Sequence, residues 1–241
     1  MRTGFRIIPI VTAAIIGTAL CSGANAQDQE QEERQMGLRE MIQSRTGLDE
    51  GLGGFPVLET GRIRLREVRP REDAAHWHSL LPDSQKSQKT VEQIAKGFEG
   101  VRSRFYGRGY VIYWAITLKD QDKMIGNIRY WEWAGHPECP LQFGTLMYDL
   151  AAPYAKDKAL AAEALRAAAE FGLGRLHLAR VQCTTSPDDS AREKALLAAG
   201  FQKEGILRNW WFSQGARKWE DEAMFSFVAD DKKKAGPEAE H

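Results

Sequence analysis

The stretch from Ala159 to Phe171 most constrains the fold. It is rich in Ala, Leu, Glu and Arg, residues with the best intrinsic helix propensity. Leu160, Ala164, Ala168 and Phe171 fall on one face of it. Strand patterns flank it, Gln142 to Leu150 before and Leu178 to Thr184 after. A helix between two strands lets them lie parallel in one sheet, and such crossovers are right-handed. Whatever else the chain forms is built around that β-α-β unit.

Elsewhere the apolar rhythm favours hairpins. Arg62-Ile63-Arg64-Leu65-Arg66 alternates with period two, which puts Ile63 and Leu65 on one strand face and three arginines on a solvated one. Pro70 opens a helix, with Glu72 and Asp73 in its dipole-favoured first turn. Thr90 caps a second helix to about Tyr106, ended by Gly107 and Gly109. Val111 to Leu118 is a strand, and Asp120-Gln121-Asp122 turns it into a hairpin with Met124 to Trp133. A loop with Gly135, Pro137 and Pro140 precedes Gln142. Asp189 to Ala199 is a helix stopped by Gly200, and two closing strands run near 201–212 and 219–228. The order β-α-α-β-β-β-α-β-α-β-β predicts an α+β domain over residues 61–228, with a largely antiparallel central sheet and flanking helices.

The ends differ from this core. Arg2 and Arg6, the apolar run Ile7 to Leu20 and Ala24-Asn25-Ala26 have the form of a signal peptide cut before Gln27. That run is shorter than the roughly 20 residues a spanning helix needs. The expectation is an exported protein, periplasmic or secreted, with no stable membrane span after cleavage; a start at Met36 or Met41 would make it cytoplasmic. Residues 27–60 hold eight acids against three arginines, with Gly51, Gly53 and Gly54, and read as an acidic leader and flexible linker. Residues 229–241 read as a disordered tail. The mature chain keeps Cys139 and Cys183, which either pair or stay separate thiols. Lys+Arg and Asp+Glu are 33 each, so the zero net charge argues against a nucleic-acid partner.

The loop Ala155-Lys156-Asp157-Lys158-Ala159-Leu160-Ala161 stands between a strand and a helix N-terminus, where unpaired backbone N–H groups and the helix dipole favour anions. From Thr60 to Phe227 the chain resembles the GNAT acyl-CoA N-acyltransferases, in the branch with the ribosomal-protein alanine N-acetyltransferases. The matching segments are Thr60-Gly61-Arg62-Ile63-Arg64-Leu65-Arg66, Ala161-Ala162-Glu163-Ala164-Leu165, Gly200-Phe201-Gln202-Lys203-Glu204-Gly205-Ile206-Leu207-Arg208, Trp219-Glu220-Asp221 and Met224-Phe225-Ser226-Phe227.

The resemblance implies acetyl-CoA as acyl donor and an amine acceptor, a small molecule or a protein N-terminus. Its pyrophosphate would meet the backbone amides of Lys156, Asp157, Lys158, Ala159, Leu160 and Ala161, with Lys156 and Lys158 adding charge. Its pantetheine arm would lie along Met147 and Tyr148 of the preceding strand. Asp189 and Arg192 stand where the family has the asparagine and serine that meet the thioester end. Ala159 replaces a phosphate-approach glycine, Asp157 puts a negative charge beside an anion site, Gln142 stands where many members have a glutamate, and Leu196 where another branch has a tyrosine acid.

Glu132, between Trp131 and Trp133, is the candidate base, set against a plain solvated carboxylate. His76 and His78 are two apart on a helix and face apart, so no metal site is expected. Arg208 and Trp210 are candidates for a homodimer surface. The reading is therefore an N-acyltransferase. Its alternative is an exported GNAT-fold protein that has lost turnover and binds another ligand or partner.

Overall fold

The computed structural model describes residues 55–101, 112–136 and 139–230, with side chains throughout except at 132–136 and 139–141. The predicted signal segment, most of the leader, Gly107, Gly109 and nearly all of the tail lie outside the described residues.

Among the described residues eight strands form one sheet: β1 (Leu58–Glu59), β2 (Ile63–Glu67), β3 (Ile112–Leu118), β4 (Met124–His136), β5 (Cys139–Leu150), β6 (Arg180–Thr185), β7 (Gln202–Ser213) and β8 (Lys218–Val228). Five helices lie among the described residues: α1 (Pro70–Leu80), α2 (Asp83–Lys86), α3 (Val91–Val101), α4 (Lys158–Gly174) and α5 (Ser190–Ala198). The sheet order is β1-β2-β3-β4-β5-β6-β8-β7. Only the β5–β6 pairing is parallel, as the intervening α4 predicts, and every other neighbour is antiparallel.

Local chemistry sets the boundaries. Pro70 begins α1, where its missing N–H is no loss. Thr90 and Gln93 form a reciprocal capping box at α3: the Gln93 N–H donates to Thr90 Oγ1 and the Thr90 N–H to Gln93 Oε1. Gly200, at φ 95°, closes α5 in a conformation that suits glycine.

Helices cover both faces of the sheet. The larger core joins Ile63, Leu65, Trp114, Tyr130, Leu146 and Phe225 to α4 and α5. On the other face Val68, Tyr113, Ala115 and Met124 pack with Trp77, Phe98 and Val101 of α1 and α3. Six of the seven β3 residues are therefore buried.

Two expectations change, and the open question of the Cys139–Cys183 pairing closes. The linker drawn through residue 60 stops short, because Leu58–Glu59 pairs with Arg64–Leu65 and the Trp114 indole N–H donates to the Pro56 carbonyl. Two residues are too short a run to show strand alternation. The solvated arginine face also fails. Arg66 is buried, gripping Asp73 through two hydrogen bonds (2.8 and 2.9 Å) and Asp122 through a third at 2.8 Å. Burial alone would lower its pKa, but the two carboxylates raise it above the ordinary arginine value. Finally, Cys183 is a free, buried thiol opposite Leu146 on β5, whereas Cys139 lies at the far end of that strand. Seven residues of strand separate the positions by about 23 Å, far beyond a disulfide's reach.

Candidate active site

The site begins where the parallel ladder ends. β5 pairs with β6 from Phe143 opposite Arg180 to Leu146 opposite Cys183, and no further. β5 nevertheless continues to Leu150, paired on its other side with Gly126–Arg129 of β4. β6 continues to Thr185, paired with Ala223–Met224 of β8. Past Leu146 the two strands part, leaving the β5 backbone from Met147 onward with a strand on one side only. The Thr185 hydroxyl, on this outer stretch of β6, is buried and has no hydrogen-bond partner among the described residues.

Side chains gather across the opening. Arg192 reaches from the first turn of α5, its guanidinium 4.8 Å from the centre of the Tyr148 ring and its Nη2 donating to Asp149 Oδ1 at 3.0 Å. Burial would lower its pKa, but Asp149 holds it above the ordinary value. Asp189 caps α5 by accepting from the Arg192 backbone N–H at 3.0 Å, and its carboxylate lies 3.5 Å from Arg192 Nε. On the β4 side Arg129 lies 3.7 Å from Asp149 and donates toward the Met147 sulfur. Its guanidinium stands 5.7 Å from the Tyr113 ring and 6.0 Å from the Trp131 ring. The structure thus brings Met147, Tyr148, Asp189 and Arg192 to one cleft. It adds Arg129 and Asp149, which the sequence reading missed. Their signal was weak: each is a single charge inside an apolar strand.

Cys183, beneath the cleft, is pushed up to about 12 by burial and stays a thiol. Burial likewise raises the Tyr148 phenol above its ordinary value.

A compact turn connects β5 to α4. The Tyr154 and Ala155 N–H groups both donate to the Ala151 carbonyl, and the Asp157 N–H to the Tyr154 carbonyl. The loop differs from expectation in one respect. Asp157 is not a loose charge beside the helix but its N-cap, accepting from the Ala159 and Leu160 N–H groups, both at 3.0 Å. Its other oxygen lies 3.5 Å from Arg62 Nη1. Arg62 also grips Glu163 of α4, whose second oxygen accepts from the Thr60 hydroxyl at 2.7 Å. Lys156, Lys158 and Ala159 are exposed, and Leu160 and Ala161 are buried. Gln142 is exposed and Leu196 fully buried.

Glu132 stands opposite Thr145, next to the last paired position of β5, and Trp131 bulges between it and Tyr130. Its side chain lies outside the described residues. No group of three or more His, Cys, Asp and Glu among the described residues is placed to hold a metal.

A family model for the acetyltransferase (GNAT) domain matches residues 62–202, more than half of the chain. The chain belongs to the GNAT acetyltransferase family. An uncharacterized N-acetyltransferase of Bacillus subtilis (strain 168), YoaA, is 25% identical over 168 residues, 67% of this chain and 91% of that protein. Among solved structures the GNAT fold recurs in Mycobacterium smegmatis RimJ in complex with CoA-disulfide, with a TM-score of 0.60, 20% identity and coverage of 73% of this chain and 87% of that one. The ribosomal-protein-S5-alanine acetyltransferase of Vibrio fischeri gives a TM-score of 0.56 at 19% identity, covering 73% of this chain and 98% of that one.

Proposed function

We propose that this GNAT protein moves an acetyl or other acyl group from acyl-CoA to an amine acceptor. One observation carries the reading: the β5–β6 ladder stops at Leu146 and Cys183, within one connection of the α4 N-terminus. The freed β5 edge offers main-chain N–H and C=O groups to an extended amide-bearing chain, which is what pantetheine is. The α4 N-terminus lies where a phosphate attached to such a chain would meet a helix dipole.

The chemistry balances without an added reagent. The neutral acceptor nitrogen attacks the thioester carbonyl, an N–C bond forms and the C–S bond breaks, and the proton lost by nitrogen passes through a base to the departing sulfur, which leaves as CoA thiol. Glu132 is the proposed base, supported by its register beside the end of the ladder. Asp149 is the poorer choice, because Arg192 at 3.0 Å and Arg129 at 3.7 Å already engage its carboxylate oxygens. The test is release of CoA thiol from acetyl-CoA across a panel of small amines and peptide N-termini. Turnover with at least one acceptor is expected, and Glu132→Gln should lower it 10²–10⁴-fold. An unchanged rate in Glu132→Gln would remove Glu132 as base.

A further inference from the structure

Asp157 holds with its own carboxylate the same two amides that would receive a donor's pyrophosphate. We infer that Asp157 is an affinity-setting residue, an internal anion that a CoA donor must displace from the α4 N-terminus before its pyrophosphate can bind. The inference rests on the acyl-CoA reading above.

Three observations point the same way. One Asp157 oxygen accepts from both the Ala159 and Leu160 N–H groups, so the free donors of the first turn face a carboxylate. The opposite oxygen is drawn to Arg62, which is anchored by Glu163, so the carboxylate is held from both sides. Glu163 is in turn fixed by the Thr60 hydroxyl and the Arg62 N–H, so this anchor belongs to the fold and not to a wandering surface pair. An incoming phosphate and Asp157 are like-charged and compete for the same donors, so both cannot occupy the cradle.

The consequence is specific to the phosphate end of the donor. A fragment lacking the pyrophosphate does not ask Asp157 to move. The wild-type protein should therefore discriminate little between CoA and pantetheine.

The experiment is calorimetric titration of CoA and of pantetheine into the whole protein and into Asp157→Asn and Asp157→Gly. Asn keeps a capping oxygen and removes the charge, and glycine clears the amides at a cost of only a few tenths of a kcal/mol in capping. CoA should bind both variants on the order of tenfold more tightly than the wild type, about 1.4 kcal/mol. Pantetheine binding should be unchanged. Thermal unfolding of each variant confirms that it is folded. Equal CoA affinity in all three proteins overturns the inference and leaves the acyl-CoA reading standing, as does an equal gain for CoA and pantetheine. Failure of every protein to bind either molecule overturns both.

Discussion

Single atoms decide how closely the layers approach. Gly172, on α4, faces the Tyr130 hydroxyl, which donates to the Ala168 carbonyl at 2.8 Å. A Cβ at position 172 would lie 2.0 Å from that hydroxyl and 3.0 Å from Val181 Cγ2. Tyr130 is fully buried, so it has no solvent into which to retreat. Gly172→Ala is expected to destabilise by about 1–3 kcal/mol, the usual cost of overpacking, measured as a lower midpoint of denaturant unfolding. An unchanged or raised midpoint would show that α4 and β4 are not locked at this distance. The helix pattern of 159–171 placed Ala168 on the buried face, but no sequence feature marks Gly172 as the contact for a tyrosine 42 residues earlier. Arg66 carries the same lesson. Period two correctly put it opposite Ile63 and Leu65, yet alternation names a face without saying what covers it. Here α1 covers it with Asp73, four residues from the Arg69 carbonyl that begins that helix.

At the scale of elements, charge ties the last three strands together. Glu204 of β7 accepts both Arg180 guanidinium nitrogens from β6 and the Ser226 hydroxyl from β8. The Arg180 hydrogen bonds lower its pKa to about 2. A carboxylate depressed on folding contributes stability above its unfolded value near 4.5, and that contribution disappears as pH falls toward 2. The group is 43% exposed, so solvent screening keeps its contribution to about 1 kcal/mol or less. Glu204→Gln should therefore lower the midpoint of thermal unfolding at pH 7, and the gap from the wild type should narrow steadily between pH 4.5 and pH 3. A gap that stays constant over that range would show that the ionised form is not what Arg180 holds. The parallel β5–β6 pair was legible from the sequence because a long helix separates its strands. The point where they part was not, since Met147 to Leu150 continues the strand pattern without a break. The ladder ends for lack of a partner, and a partner lies elsewhere in the chain.

For the whole molecule, the order of elements followed from periodicity and breaker residues, with the two-residue β1 and the one-turn α2 too short to read and the division of helices between the two faces not read at all. Several of the candidate positions read from the sequence lie near one another in the fold. Tyr148, Asp189 and Arg192 meet at one cleft, and Asp157 stands at the helix N-terminus beyond it. What the sequence withheld was how these charges are spent. Arg192 crosses the opening to Asp149, a contact that forms only once the fold brings α5 against β5, and Asp157 caps α4 from the residue before it. The proposed acyl transfer requires that this cleft hold a CoA thioester. The most direct test is calorimetric titration of acetyl-CoA into the whole wild-type protein and into Asp157→Asn. Saturable binding is predicted in both, tighter than about 100 μM in the variant at least, roughly −5.5 kcal/mol. No saturable binding in either folded protein would contradict the account.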